Sequence, residues 1–196
     1  MSDVDRPTLI YFSSRGRAQP IRMLLRHVGV AFHDRHVTRD EWRAMKPHTG
    51  LGQLPVWIER TAQGEVTIPQ SRAILRHLAR RHGLWGRTEA ETLAADIAAE
   101  TADDLLVAYN RVRFSPAWSD EAERGRYAAE TLPPFLVRFA TLLGDRPWFA
   151  AEEPTFGDFV VQDALETHLA QWPECLVSHP SLAAFTARFA ALPIPA

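Results

Sequence analysis

The pattern of apolar residues changes once along this chain, after Gly83. Before it, short β-branched and aromatic runs alternate with amphipathic segments, whereas every apolar segment after it has helical spacing. The first part predicts a β-α-β, β-β-α unit with a mixed four-stranded sheet, and the second part predicts a helical bundle. We therefore predict an α/β domain at residues 1–82, a turn-rich linker at 83–88 and an all-α domain at 89–196.

The first domain shows a clear strand, turn and helix at its start. A strand within residues 8–14 leads into a helix at 18–28, which has Pro20 in its first turn and ends at Gly29. The elements predicted after it are a strand at 31–37, a short helix at most around 41–45, a hairpin of strands 56–59 and 65–68 with Gly64 in its turn, and a helix at 70–82.

The second domain is predicted to contain helices only. They cover residues 89–114, 121–143, 156–172 and 180–192, with breaks at Pro116, Gly144, Pro147 and Pro173. Thr155 and Asp158 have the S/T-x-x-D spacing of a capping box, so Asp158→Ala should lower the stability by about 1 kcal/mol or somewhat more.

Composition and charge exclude several classes of protein. A formal charge of −2 disfavours binding to nucleic acid, and the apolar stretches fall short of the roughly 20 residues that span a membrane. Cys175 is the single cysteine, which excludes an internal disulfide, and the histidines lack metal-ligand spacing, so no metal is expected. The start has no basic stretch followed by an apolar run, which predicts an unprocessed cytoplasmic protein.

A set of short motifs then points to one family. Residues 9–22 read LIYFSSRGRAQPIR, with a tyrosine before an ArgGlyArg turn; the later motifs are Trp42, Lys46, GQLP at 52–55, PQSRAILRHL at 69–78 and TFGDF at 155–159. In this order and spacing they resemble the alpha, mu, pi and sigma classes of cytosolic glutathione transferases over nearly the whole chain. The resemblance implies a thioredoxin-like first domain that binds glutathione as a substrate.

The resemblance assigns the catalytic step to Tyr11 at the end of the first strand. Its hydroxyl would donate a hydrogen bond to the glutathione sulfur and favour the thiolate, and Arg17 would assist electrostatically. Without the resemblance, Tyr11 would be read as a packing residue and Arg17 as a solvated arginine at a helix start.

Further residues are assigned to glutathione in the same way. Pro55 would follow a cis peptide bond, so that the backbone of Leu54 pairs with the cysteinyl part. Gln53 would contact the glycyl region, while Gln70 and Ser71 would bind the γ-glutamyl carboxylate, although Ser71 could simply cap its helix. Trp42 and Lys46 would reach the glycine carboxylate, but the spacing from Trp42 to Gln53 is shorter than in the pi class.

The second domain contributes further residues by resemblance. Asp104 would cross a homodimer interface to the γ-glutamyl amine of the neighbour's glutathione, although acidic stripes on helices are often only solvated. Phe12, Tyr109 and Phe114 would line a pocket for hydrophobic electrophiles, with core packing an equal or better alternative for Tyr109. The chain ends at ProIleProAla after the last matched helix, so an open electrophile site is expected.

The function predicted is a glutathione transferase that conjugates the thiolate to hydrophobic electrophiles. One alternative is a transferase-like protein that binds glutathione or apolar ligands with little turnover. Others are a glutathione-dependent isomerase or peroxidase, and a relative activated by Ser13 or Ser14. The electrophile, the exact class and the role of Cys175 do not follow from the sequence.

Overall fold

The computed structural model describes residues 6–193. Its single sheet has the strand order β2-β1-β3-β4, with β1 and β2 parallel and the remaining pairs antiparallel. The strands are β1 Thr8–Tyr11, β2 His33–His36, β3 Val56–Thr61 and β4 Gly64–Pro69. The predicted mixed four-stranded sheet is confirmed, and residues 194–196 of the ProIleProAla end lie outside the described residues.

Among the described residues, three α-helices accompany the sheet: α1 Gln19–His27, α2 Arg39–Met45 and α3 Ser71–Arg81. Helix α1 begins with Pro20 in its first turn and buries Ile21, Leu24 and Leu25. Helix α3 buries Ile74, Leu75 and Leu78, the three residues that the sequence places on its inner face. Both helices thus follow the apolar spacing of the sequence.

The hairpin between β3 and β4 is tighter than predicted. Its turn consists of Ala62 and Gln63 alone, and Gly64 is the first residue of β4, paired with Thr61. The Thr61 hydroxyl donates to the Gly64 carbonyl at 3.0 Å and accepts from the Gln63 N–H at 3.2 Å. These side-chain hydrogen bonds accompany a strand pairing that reaches Thr61 and Gly64, beyond the strand ends predicted from the sequence.

The second half contains α4 Glu89–Arg113, α5 Glu121–Arg126, α6 Leu132–Leu143, α7 Phe156–Leu169 and α8 Pro180–Ala190. The helix predicted at 121–143 is interrupted, because a π-helical segment at Tyr127–Thr131 separates α5 from α6. Pro133 and Pro134 lie in the first turn of α6 and lack the N–H groups that would continue regular α-helical bonding. Local composition therefore changes the helix type without ending the helical path.

Helix α7 packs closely against α4 through Gly157. A Cβ atom at this position would lie 2.5 Å from the Ala95 carbonyl oxygen, so only glycine permits this approach. The predicted capping box of Thr155 and Asp158 at the start of α7 is confirmed. Within residues 6–193, none of the helices combines the length and the apolar character needed to cross a membrane.

The described residues form two compact units. One contains the chain up to Gly83 together with Pro193, and the other contains Leu84–Leu192. The domain limits predicted above, with a linker at 83–88, remain a proposal.

Candidate active site

A cleft of about 490 Å³ lies in the first unit, at the end of β1 and the start of α3. This volume falls in the range of small-molecule sites. The cleft is lined by Tyr11, Phe12, Arg17, Trp42, Gly52, Gln53, Leu54, Gln70 and Ser71. Eight of these nine residues are ones that the resemblance assigns to glutathione or to its electrophile.

Tyr11 lines this cleft. The Arg17 backbone N–H donates to the Tyr11 oxygen at 3.2 Å, and the Phe12 ring lies edge-on to the Tyr11 ring with centroids 5.6 Å apart. A phenol has two acceptor lone pairs and one O–H donor. The contact with Arg17 uses a lone pair and not the hydroxyl proton, so Tyr11 can still donate to a ligand.

Gly16 leaves the space that the Tyr11 hydroxyl occupies. A Cβ atom on Gly16 would lie 2.5 Å from the Tyr11 oxygen and 3.0 Å from one ring carbon. Gly16 also has a φ of +41°, a conformation that residues with a side chain rarely adopt. The glycine of the ArgGlyArg turn is thus required twice, by its backbone and by its contact with Tyr11.

Arg22 fixes the same turn, and sequence reasoning missed it. It is only 4% exposed on α1, and its guanidinium donates to the carbonyls of Ser14 at 2.8 Å and Phe12 at 3.3 Å. Its Nε donates to Asp34 Oδ2 at 2.8 Å. Its place in the sequence could have indicated this role, because Arg22 lies on the same helix face as the apolar Ala18 and Leu25, and a buried arginine needs hydrogen-bond partners.

The segment opposite Tyr11 is built around Leu54 and Pro55, which are joined by the expected cis peptide bond. Gln70 Nε2 donates to Gln53 Oε1 at 2.9 Å, which links this segment to the start of α3. Gln70 has a φ of +75°, an unusual conformation for a residue with a side chain, and such conformations concentrate at ligand sites.

Ser71 is the first residue of α3 and is 6% exposed. The N-cap position belongs to Gln70, so the alternative reading of Ser71 as the cap of its own helix is wrong. The first N–H groups of a helix and its dipole favour an anion at this end. Ser71 and Gln70 therefore face the cleft where a carboxylate is best accommodated.

Trp42 lies on helix α2, and Lys46 follows the last residue of that helix. Thr38 and Glu41 close a capping box at the start of α2, and the hydrogen bond from the Thr38 N–H lowers the pKa of Glu41. Trp42 lines the cleft and packs on Ile10, Val37 and Val56. The exposed Lys46 does not line the cleft, but its methylene groups lie beside Gly52, which does.

The other assigned residues do not line this cleft. Pro55 is buried behind it, and Asp104, Tyr109 and Phe114 belong to the second unit. Tyr109 is 7% exposed and contacts the rings of Trp118, Tyr127, His168 and Trp172, which favours the packing alternative. Phe114 is 80% exposed at the end of α4. In residues 6–193, no three His, Cys, Asp or Glu side chains form a metal-binding group.

A thioredoxin-like unit with a cleft at the end of β1, followed by an all-helical unit, is the architecture of glutathione transferases. Residues 7–80 match the Glutathione S-transferase, N-terminal domain family, and residues 103–194 match the Glutathione S-transferase, C-terminal domain family. The chain belongs to the glutathione S-transferase family, and it is an enzyme of the alpha, mu, pi and sigma type. This family uses glutathione as a substrate and needs no metal.

Individual members of the family are similar to this protein over most of its chain. Glutathione S-transferase Mu 4 of Mus musculus is 38% identical over 94% of this chain and 86% of its own length. Glutathione S-transferase Mu 4 of Homo sapiens is 36% identical over the same shares. The Pi-class glutathione S-transferase of Onchocerca volvulus is similar in structure, with a TM-score of 0.88, 34% identity and coverage of 95% of this chain and 88% of its own.

Proposed function

We propose that this enzyme binds glutathione in the cleft of its first unit, ionises the thiol beside Tyr11 and adds the thiolate to hydrophobic electrophiles. The observation that carries the proposal is the Tyr11 hydroxyl. Tyr11 lines the cleft, and its oxygen accepts from the Arg17 N–H, so its proton is available for sulfur. Arg17 adds positive charge on the same side.

The energy required matches what one hydroxyl can supply. A thiol with a pKa of about 8.5 is only a few per cent ionised at pH 7, and lowering its pKa by one unit requires about 1.4 kcal/mol. A hydrogen bond to a charged acceptor contributes roughly 1.5 to 3 kcal/mol. Tyr11 alone could therefore lower the thiol pKa by one to two units.

The remaining lining residues suit the rest of the tripeptide. The Leu54 backbone would pair with the cysteinyl residue in the manner of an added strand. Gln70 and Ser71 would bind the γ-glutamyl carboxylate at the start of α3, and Gln53 would contact the glycyl region. Trp42 and Lys46 would reach the glycine carboxylate from α2.

Ser71→Ala should weaken glutathione binding by about 10-fold or more, because it removes a hydrogen bond to a charged carboxylate. Isothermal titration with glutathione measures the change. Thr67→Ala is a matched control, since it removes an exposed hydroxyl from the neighbouring strand β4. Equal affinity of Ser71→Ala and wild type would exclude this role for Ser71.

Gly16→Ala should reduce conjugation at least 10-fold and should also lower the melting temperature by a few degrees, because alanine is strained at the positive φ of this position. The new Cβ would overlap the Tyr11 hydroxyl, and the flexible end of the tyrosine side chain would move away. Initial rates and thermal melts measure the two effects. Gly144→Ala is the control, because Gly144 also has a positive φ, +57°, and a Cβ there meets nothing within 4 Å. Full activity of Gly16→Ala would show that the observed Tyr11 position is not required.

The enzyme is also proposed to act as a cytoplasmic homodimer. On α4, Leu93, Ile97 and Val107 are exposed apolar residues, and they share one helix face with Asp104. Such a stripe suits a partner subunit, whose glutathione Asp104 would contact. Phe12, Phe114 and Tyr109 are proposed for the electrophile wall, although Tyr109 is better explained by packing.

The function is tested by following conjugation of glutathione to an activated aryl halide at pH 6.5. Turnover well above the uncatalysed rate supports the proposal. Glutathione binding without turnover would instead favour the alternative of a binding protein. Turnover of a peroxide or of an isomerisable substrate, but of no electrophile, would favour the glutathione-dependent isomerase or peroxidase alternative.

A further inference from the structure

The buried side chain of Arg22 holds the turn between β1 and α1 in place through hydrogen bonds to its backbone. Arg22 donates through Nη1 to the carbonyls of Ser14 and Arg15, through Nη2 to that of Phe12, and through Nε to Asp34. A planar guanidinium with donors in fixed directions can bind several carbonyls and a carboxylate together. The backbone from Phe12 to Arg15 is therefore tied to α1 and β2 at once.

This turn is the segment that delivers the Arg17 N–H to the Tyr11 oxygen. The N–H donates at 3.2 Å, and the Arg22 guanidinium carbon lies 5.9 Å from the Tyr11 ring centroid. A hydroxyl that accepts a hydrogen bond becomes a better donor through its own proton, because bonds in a chain polarise one another. A nearby cation acts in the same direction.

We propose that Arg22 is a positioning residue for the reaction: it fixes the turn so that the Arg17 N–H polarises the Tyr11 hydroxyl, and it thereby lowers the pKa of glutathione bound in the cleft. The inference rests on the proposed role of Tyr11. Arg22 itself does not line the cleft and has no assigned contact with either substrate.

The ion pair with Asp34 sets the orientation of the Arg22 guanidinium. Asp34 Oδ2 accepts from Arg22 and lies 3.3 Å from His36 Nε2, while Asp34 Oδ1 is buried without a hydrogen-bond partner among the described residues. The carboxylate thus orients the guanidinium through one oxygen. A lysine would keep the charge but lose the fork that reaches Phe12, Ser14 and Asp34 together.

The proposal predicts a change in pH dependence. In Arg22→Lys the turn loosens, Tyr11 becomes a weaker donor, and the thiol pKa of bound glutathione rises. The rate should fall at acidic pH and recover at alkaline pH, where the thiol ionises unaided. The affinity for glutathione should change little, because Gln53, Gln70 and Ser71 lie on other segments.

The test measures kcat/KM for the electrophile at saturating glutathione between pH 5.5 and 9, which reports the titration of the enzyme–glutathione complex. For Arg22→Lys we expect the midpoint to rise by about one unit, hence a roughly tenfold lower rate at pH 6.5 with an alkaline plateau within about twofold of wild type. Arg26→Lys is the matched control, being exposed one turn further along α1, and should retain the wild-type profile.

A second variant covers the case in which Arg22→Lys does not fold. Arg22→Gln combined with Asp34→Asn replaces the ion pair by two amides that can still bond to each other, so no unpaired charge is left buried. It should show the same alkaline shift. In whichever variant folds, an unchanged midpoint, or a loss equal at every pH, would overturn the proposal. If the wild-type enzyme forms no thiolate with glutathione, the proposed function itself is contradicted. If the wild type forms thiolate and the variant has the same pH midpoint of kcat/KM, only the role of Arg22 is contradicted.

Discussion

Tyr11→Phe should lower the rate of glutathione conjugation at pH 6.5 by about 10- to 100-fold, the loss expected for one hydrogen bond to a charged sulfur. The change removes only the hydroxyl, so the ring keeps its edge-on contact with Phe12. Glutathione affinity should stay within about twofold, because Gln53, Gln70 and Ser71 are untouched. Initial rates and calorimetric titration of the same preparations measure both quantities.

Tyr127→Phe provides the matched control for that experiment. The Tyr127 hydroxyl is buried in the second unit and lies 2.9 Å from His168 Nε2. Its loss should cost some stability, since a buried polar partner is left unsatisfied, but it should not alter the thiol pKa. A Tyr11→Phe enzyme as active as wild type would exclude Tyr11 as the group that stabilises the thiolate.

Asp158→Ala should lower the free energy of unfolding by about 3 kcal/mol, since several buried donors lose their acceptor. Asp158 is 0% exposed and accepts from the Phe149 N–H at 2.8 Å, the Thr155 N–H at 2.7 Å and the Thr155 hydroxyl at 2.9 Å. The capping box alone predicts about 1 kcal/mol. The bond from Phe149 adds to this because it ties a second segment to the start of α7.

Chemical denaturation at pH 7.5 measures this effect. Burial raises the pKa of Asp158 to about 6, against the opposing hydrogen bonds, so the carboxylate is ionised and accepting at that pH. Glu152→Ala is the control, because it removes an exposed acid from the same approach to α7. Equal unfolding midpoints for Asp158→Ala and wild type would contradict the proposed role of this carboxylate.

The helices and strands could be predicted because their signals are local. The inward faces of α1 and α3 follow from apolar spacing, and Gly83 marks the change to helices. The π-helical segment was not predicted, because prolines such as Pro133 and Pro134 in a helical pattern indicate a break or a kink and do not specify the helix type that results. Nor could the sequence show that Thr61 tightens the hairpin.

The cleft residues were predictable only through motifs that resemble a family. Residues 9–22, 52–55 and 69–78 lie far apart in the sequence, and composition gives no reason for them to converge. The link between Gln70 and Gln53 and the role of Arg22 depend on side-chain directions across segments, which no local pattern encodes. Tyr109 is the opposite case: the motifs assign it to a pocket, but in the structure aromatic rings surround it, which favours a packing role.

The role of Tyr11 is tested most directly by the ultraviolet absorbance of thiolate when glutathione is added near pH 6.5 to wild type and to Tyr11→Phe. We expect a thiolate band that saturates with glutathione in wild type and that is absent, or appears only at higher pH, in the variant. Equal thiolate in both proteins would contradict the role of Tyr11. Absence of thiolate in both, with glutathione bound, would contradict the proposal that this cleft ionises glutathione.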